Sequence, residues 1–241
     1  MKKEKSPLLS VKDLSVSFGN STIPVLKNIS FDVNTHEALA IVGPNGSGKS
    51  VLLKTLLGAI PRSAGIIAWK ENINIGYLPQ RFQVDHYLPM TVKEFLSLKQ
   101  LPRYSLQEIA ELVKAKTDWL GKNLAHLSGG ELQKTLLAWA IFDKPDILLF
   151  DEPTENVDVA NQESIYALLH QLQDTLGVAL VIVSHDIGIV YRYADNVLCL
   201  NHDMLCYGNP KETLTAKTLT DLYGTHTLIH DHQSHKNYDI H

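Results

Sequence analysis

Eight residues near the start of the chain have the types and spacing of a phosphate-binding loop. Residues 43–50 match the pattern G-x-x-x-x-G-K-[ST], follow the apolar run 38–42 and precede the helix-like run 51–57. The glycines allow a tight turn that aims backbone N–H groups inward, and the start of the helix adds its positive dipole end. The sequence therefore predicts a nest for phosphate groups between a strand and a helix.

The loop also predicts which groups would hold a nucleotide. Lys49 would reach the β- and γ-phosphates, and Ser50 would ligate the Mg²⁺ ion that bridges them. ATP with Mg²⁺ is the expected ligand, and a glycine-rich turn that merely joins a strand to a helix is the alternative. The other residues expected to surround the nucleotide here are Gly43, Pro44, Asn45, Gly46, Ser47, Gly48 and Val51.

Two adjacent acids follow a second apolar run. Asp151 and Glu152 end the stretch that begins at Ile147, and such a stretch is typical of a buried central strand of a parallel sheet. In a nucleotide-hydrolysing site, Asp151 would hold the Mg²⁺ shell, and Glu152 would position and deprotonate the attacking water. The alternative is a solvated pair of acids at the end of a strand.

Three further candidates lie where predicted strands end. Gln80 follows the short strand 73–78 and marks the change from strand to loop. His185 follows the apolar strand 178–184, where it could contact a γ-phosphate or simply pack. Phe18 ends the first strand and could stack on a base, although its spacing fits a core position equally well.

The motif Leu-Ser-Gly-Gly-Glu at 127–131 precedes a long helical run. Ser128 is a good N-cap, and Glu131 three residues later would complete a capping box. Gly129 and Gly130 weaken a helix that only needs to start, but they allow a close approach of the backbone to another group. The paired glycines favour an anion site over a plain helix start.

The hydrophobic pattern predicts the strands and helices that carry these residues. Residues 8–18 and 25–33 predict a small antiparallel layer, and apolar residues recur with a helical period at 91–100 and 106–116. Strands and helices alternate again from residue 147. The expected fold is α/β with a mainly parallel sheet, as one domain over 1–223 with a helical subdomain at 88–142 and a tail at 224–241.

Composition limits the function classes. The 241 residues are 44 % hydrophobic and carry a net charge of -4 without a basic stripe, so no nucleic-acid partner is expected. The longest apolar runs are too short to cross a bilayer and no signal-like stretch follows Met1, which predicts a cytosolic location. Cys199 and Cys206 lack metal-site or redox spacing and are expected to be buried, reduced thiols.

The tail is rich in histidine. His230, His232 and His235 are close enough in sequence to share one Zn²⁺, and Asp231 could add an oxygen ligand. A solvated tail that binds metal only incidentally is the alternative.

Taken together, the motifs over residues 8–223 resemble an ABC-type ATPase subunit, a P-loop NTPase. The resemblance implies that the helix start at 128 caps the γ-phosphate held by a second copy, so that two chains enclose two ATP molecules. It also implies that Phe18 stacks on the base and that Gln80 senses both Mg²⁺ and the permease. Asp158 would belong to the aspartate loop, and His185 would be the switch histidine. This sequence departs from the family pattern at Glu131, where glutamine is usual, and at Lys134 and Trp139, where arginine is usual or frequent.

Weaker similarities point to one branch of that family. Five stretches resemble the ATPase of zinc- and manganese-type metal importers, namely 75–80, 88–92, 152–154, 157–159 and 197–202. This resemblance implies zinc as the transported ion, with manganese or iron next, and an integral-membrane permease and an extracytoplasmic metal-binding protein as partners. The chain would then lie at the cytoplasmic face of the inner membrane. A soluble ABC-type ATPase with a non-transport role and a P-loop small-molecule kinase remain the alternatives.

Overall fold

The structure is a computed structural model that describes residues 7–19, 23–80, 82, 87, 89–100, 102–152 and 159–224, with side chains omitted for 159–163. Its strands are β1 Leu9–Val16, β2 Leu26–Val33, β3 Ala38–Val42, β4 Ala64–Trp69, β5 Ile75–Leu78, β6 Ile147–Asp151, β7 Ala179–Val183, β8 Asn196–Asn201 and β9 Asp203–Gly208. Its α-helices are α1 Lys49–Leu56, α2 Val92–Leu96, α3 Leu106–Leu112, α4 Gly129–Ile141, α5 Val159–Leu176, α6 Ile187–Tyr193, α7 Pro210–Thr213 and α8 Ala216–Tyr223.

The described strands form one sheet in the order β4-β1-β2-β9-β8-β3-β7-β6-β5. The strands from β8 to β5 run parallel, whereas β1 pairs antiparallel with both β2 and β4. Every residue of β3, β6 and β7 is buried, as expected where helices cover both faces of a parallel sheet. The predicted combination of a mainly parallel sheet with a small antiparallel layer is confirmed.

The register of the central strands aligns the carboxyl ends of β3, β6 and β7 at one edge of the sheet. Asp151 at the end of β6 pairs with Val183 at the end of β7, and Val183 also pairs with Ile41 near the end of β3. The loops that follow these three strands therefore leave the same edge of the sheet. Ligands bind at this edge in parallel α/β sheets.

A helical segment with α2, α3 and α4 connects β5 to β6. Each of these helices begins with a capping box, formed by Thr91 with Glu94, by Ser105 with Glu108 and by Ser128 with Glu131. Between α3 and α4, the buried Trp119 donates a hydrogen bond from Nε1 to Thr135 Oγ1 over 3.1 Å. This contact fixes the turn at 119–121 against α4.

Two helices of this segment are shorter than their periodicity predicts. Helix α2 ends at Leu96, and the apolar Leu98 is 58 % exposed, so its side chain does not extend the buried face. Helix α3 ends at Leu112, and Lys114 has a left-handed φ of 51°, which an α-helix cannot contain. The predicted extensions to residues 100 and 116 are wrong.

The expectation of two isolated, reduced cysteines is also wrong. Cys199 in β8 and Cys206 in β9 are directly paired across the antiparallel hairpin, with Cα atoms 4.8 Å apart, and a disulfide joins them. They pack in an apolar cluster with Val42, Val190 and Leu222. Seven positions separate the two cysteines in sequence, and only the hairpin register brings their sulfur atoms together.

Within the described part of the chain, no helix combines the length and the apolar character needed to cross a bilayer.

Candidate nucleotide-binding site

The loop at 43–48 connects β3 to α1 and needs glycine at specific positions. Gly46 and Gly48 have φ angles of 83° and 101°, in the left-handed region that side chains rarely adopt. A Cβ atom on Gly48 would lie 2.6 Å from Leu26 Cδ2, and one on Gly43 would overlap the Leu200 carbonyl oxygen. The loop is therefore enclosed by β2 on one side and by β8 on the other.

The turn between β8 and β9 holds this loop through His202. The backbone N–H of His202 donates to the Ser47 carbonyl oxygen over 3.0 Å, and its own carbonyl accepts from the Lys27 N–H over 2.9 Å. Its ring Nδ1 lies 3.1 Å from the Val25 carbonyl oxygen. One residue in left-handed conformation, with φ of 63°, thus connects the loop to the start of β2.

Lys49 lies at the first position of α1 with its side chain folded under the loop. Its ammonium donates to the carbonyl oxygens of Gly43 and Pro44 over 2.8 and 3.0 Å, and lies 3.9 Å from Glu152 Oε1. Burial lowers the pKa of this ammonium, while the Glu152 and Asp151 carboxylates act in the opposite direction. The site holds a buried cation beside two acids.

Ser50 and Asp151 form the second part of the site. The Ser50 hydroxyl donates to Asp151 Oδ1 over 2.9 Å, and Asp151 is only 2 % exposed. Burial raises the pKa of the Asp151 carboxyl; the Ser50 hydrogen bond lowers it and the neighbouring Glu152 raises it. A cation between these groups would favour the ionised carboxylate.

Glu152 lies between the loop and Gln80. The Gln80 side-chain amide donates to Glu152 Oε2 over 3.2 Å, and the other carboxylate oxygen faces Lys49. Glu152 has φ of 49°, a strained conformation for a residue with a side chain. Glu152 comes directly after the last residue of β6, and its backbone conformation directs its carboxylate toward Gln80 and Lys49.

The residues present fit a nucleotide with a divalent cation. The Ser47 hydroxyl oxygen is buried and has no hydrogen-bond partner among the described residues, so it can serve a bound phosphate. The Ser50 hydroxyl contacts the Asp151 carboxylate, and the Gln80 amide contacts Glu152, the next residue in the chain. Oxygen atoms of these kinds are the ligands that Mg²⁺ prefers.

Two other sequence candidates lie near this edge. His185 is exposed and follows β7 by two residues, beyond the Val183 that pairs with Asp151. Phe18 is 49 % exposed and follows β1 by two residues, beyond the Val16 that pairs with Leu26. The exposure of Phe18 excludes the core position that its spacing also allowed.

The motif at 127–131 lies in the helical segment. The Ser128 hydroxyl and N–H both donate to Glu131 Oε2, over 3.0 and 3.1 Å, and Glu131 Oε1 accepts from Lys122 over 2.6 Å. Ser128 and Gly129 are exposed, and Gly130 is half-buried. The described side-chain contacts of Ser128 and Glu131 remain inside the helical segment.

The other two departures from the family pattern also have structural partners. The Lys134 ammonium donates to the Lys114 carbonyl oxygen over 2.8 Å, which ties α4 to the turn after α3. Trp139 stacks on Phe95 with ring centroids 4.6 Å apart, and the Lys99 ammonium lies 4.8 Å from the Trp139 ring. Both side chains join α4 to its neighbours.

Sequence reasoning missed two residues that organise these sites, His202 and Lys122. His202 holds the loop mainly through its backbone N–H and carbonyl groups, and residue type does not indicate such backbone contacts. Lys122 lies nine positions before Glu131, so periodicity does not connect them. Asp158, His230, His232 and His235 lie outside the described residues, and no cluster of three or more His, Cys, Asp or Glu side chains within the described ranges could hold a metal ion.

Comparison with known proteins identifies the family of this chain. The family model described as ABC transporter matches residues 26–155, more than half of the chain. The chain belongs to the ABC transporter family. It is an ATP-binding protein of that family, and the resemblance inferred from the motifs is confirmed.

Curated relatives match this ABC transporter chain over nearly its full length. The zinc import ATP-binding protein ZnuC of Pasteurella multocida is 39 % identical, with 98 % of this chain and 91 % of the relative covered. ZnuC of Haemophilus influenzae is 41 % identical, with 91 % and 81 % covered. A solved structure of a metal-chelate type ABC transporter in an inward-facing conformation is 27 % identical, with a TM-score of 0.79 and 90 % and 89 % covered.

Proposed function

We propose that the chain is the ATP-binding and ATP-hydrolysing subunit that powers an importer of zinc ions. The observation that carries the catalytic part is the convergence of Lys49, Ser50, Gln80, Asp151 and Glu152 at one edge of the sheet. The zinc assignment is supported by the names of relatives that are about two-fifths identical over at least nine-tenths of this chain. Manganese and iron are the other ions to test.

Binding of MgATP is divided among the residues of this edge. Backbone N–H groups of the loop, from Gly43 through Val51, would surround the phosphates, with the Lys49 ammonium as the positive charge. Ser50 and Asp151 would hold Mg²⁺ with Gln80 at its side. Phe18 would stack on the base through its exposed ring. When bound there, Mg²⁺ would supply electrostatic stabilisation to the phosphoryl group during hydrolysis.

Hydrolysis would depend on residues of adjacent strand ends. Glu152 accepts the proton of the attacking water, and the Gln80 amide orients its carboxylate through the 3.2 Å hydrogen bond. His185 lies two residues beyond the strand end paired with Asp151, and from there it would contact a terminal phosphate. Asp158 is assigned to the same machinery by its place in the family pattern alone.

The site would be completed by a second copy of the chain. Ser128, Gly129 and Gly130 begin a 13-residue helix whose positive end faces outward, and Glu131 completes the capping box. In a sandwich dimer each such helix start would cap the γ-phosphate held by the other chain. We take residues 1–223 as one ATPase domain with a helical subdomain at 88–142, and 224–241 as a histidine-rich tail.

The dimer would attach to integral-membrane permease subunits at the cytoplasmic face of the inner membrane. An extracytoplasmic metal-binding protein would deliver the ion. Transport of the ion itself belongs to the permease, because the ATPase subunit contacts ATP and the permease rather than the cargo.

Reconstitution with the cognate permease in vesicles tests this function. We expect ATP-dependent movement of ⁶⁵Zn²⁺ across the membrane with wild-type chain, and none with Glu152→Gln. Competition with Mn²⁺ and Fe²⁺ identifies the preferred ion. A complex that hydrolyses ATP and moves manganese but not zinc would contradict the zinc assignment and leave the ATPase assignment intact. A chain that phosphorylates a small molecule instead would overturn both.

A further inference from the structure

The acid at the end of the 127–131 motif has a built-in counter-ion. Glu131 is the third residue of α4, where its Oε2 accepts from the Ser128 N–H and hydroxyl. Its Oε1 accepts from the Lys122 ammonium over 2.6 Å. The hydrogen bond from Lys122, together with that from the Ser128 backbone, holds the pKa of the Glu131 carboxyl at about 2. The acid is therefore fully ionised in the physiological range.

An ionised acid at this position conflicts with the proposed binding of a phosphate at the same helix start. The N-terminal end of α4 carries a partial positive charge that attracts an anion, and a carboxylate within the first turn offsets it. The carboxylate also repels a phosphate directly, because like charges at short range destabilise each other. Glutamine, the usual residue in the family pattern, brings no such charge.

The backbone of Lys122 is anchored at a place from which its side chain reaches Glu131. Its N–H donates to the Trp119 carbonyl over 3.1 Å, and its carbonyl accepts from the Val92 N–H over 3.0 Å. Trp119 is buried and joined to α4 through Thr135. The Lys122 ammonium lies between Glu131 and Asp118, 2.6 and 3.4 Å away, with its side chain 32 % exposed. The two backbone hydrogen bonds thus anchor the residue, and its ammonium bridges two carboxylates.

We propose that Lys122 is a positioning residue for ATP-dependent assembly: it neutralises Glu131 and holds that carboxylate on Ser128, so that the helix start can accept a γ-phosphate. The inference rests on the proposed sandwich dimer. The ion pair with glutamate replaces the neutral glutamine of the usual pattern, and Lys122 becomes necessary only because Glu131 is charged. Removing the charge of Glu131 should therefore remove the need for Lys122.

The test measures dimer formation of the full chain against ATP concentration by light scattering, in the hydrolysis-deficient Glu152→Gln background. The variants are Lys122→Met, Glu131→Gln, their combination, and Lys116→Met as a matched control with the same loss of charge on an exposed lysine of this segment. We expect Lys122→Met to raise the ATP concentration at half-dimerisation about tenfold, because the Glu131 carboxylate would then face the phosphate without its counter-ion. Lys116→Met should leave the ATP concentration at half-dimerisation within about twofold of the value for the Glu152→Gln parent.

The combined variant separates charge compensation from a structural role. Adding Glu131→Gln to Lys122→Met should recover most of the lost ATP sensitivity, because the neutral amide needs no counter-ion. If the combined variant stays as weak as Lys122→Met, or if Lys122→Met dimerises normally, the inference is overturned. If the Glu152→Gln parent itself fails to dimerise with ATP, the proposed sandwich fails first, which is a distinct result.

Discussion

The side-chain amide of Gln80 donates a hydrogen bond to Glu152 Oε2 over 3.2 Å, across the carboxyl ends of β5 and β6. The other oxygen of the same carboxylate faces Lys49 at 3.9 Å. Glu152 is thereby held between a residue that follows one strand and the cation of the phosphate loop. A general base needs such orientation because proton transfer requires hydrogen-bond reach to the attacking water.

Glu152→Gln should bind MgATP with near wild-type affinity and lose most of its turnover. The amide keeps the shape of the side chain but cannot accept the proton, and loss of a general base costs about 10²–10⁴ in rate. Single-turnover hydrolysis and fluorescent-nucleotide binding measure the two effects. Lys49→Ala should instead fail at binding, and Glu111→Gln, on an exposed face of α3, serves as the control. Near-normal turnover of Glu152→Gln would contradict its role as base.

Ser128→Arg should prevent ATP-dependent dimers of the Glu152→Gln chain. The exposed Ser128 starts α4, and a bulky side chain there would occupy the space of the phosphate from the second copy. Light scattering with and without MgATP measures the assembly. Ser97→Arg places the same side chain at an exposed position at the end of α2 and should leave the dimer intact. A fully active, nucleotide-independent monomer would rule out the sandwich.

Loss of the Cys199–Cys206 disulfide should lower the free energy of unfolding by roughly 2 kcal/mol. The bond closes a loop of about eight residues, and this restricts the unfolded chain. Urea unfolding with and without reductant measures the change. Cys206→Ser, at the half-buried partner, should show the reduced stability already and respond no further to reductant. Two freely alkylated thiols in the native, unreduced protein would contradict the bond.

The contribution of Glu131 to the free energy of unfolding should decrease as the pH falls. Its folded pKa of about 2 lies below the ordinary value of 4.5, so the contribution is complete above about pH 4.5 and is lost as the pH falls toward 2. Urea unfolding of wild type and Glu131→Gln at steps from pH 6 to pH 3 should show the wild type losing its relative advantage on acidification. A constant difference across that range would exclude a depressed pKa at Glu131.

The histidine-rich tail gives a prediction about regulation. If His230, His232 and His235 bind cytosolic zinc and report it, ATPase activity of the permease complex should change with zinc, and ending the chain at Gly224 should abolish that response. A full-length variant with these three histidines changed to asparagine controls for the deletion. Basal hydrolysis should survive in both. An unchanged zinc response after truncation would leave the tail without a sensing role.

The phosphate loop, the acidic strand end and the motif at 127–131 could be predicted from the sequence because their chemistry is local. Three glycines, a lysine and a serine at fixed spacing define a backbone turn and a helix start, whatever surrounds them. The buried strand ending in Asp151 follows from an unbroken apolar run in the same way. The capping box joins Ser128 to Glu131, three positions later, and forms as this spacing predicts.

Contacts between distant segments could not be predicted from the sequence. The disulfide between Cys199 and Cys206, the hydrogen bond from His202 to Ser47 and the ion pair of Lys122 with Glu131 depend on hairpin register and on the packing of a turn against α4. No residue type or period marks such pairs, because register and packing are set by the whole core. Residue types and local spacing identify the groups that can bind or hydrolyse a nucleotide, whereas the packing of distant segments places the groups that hold them.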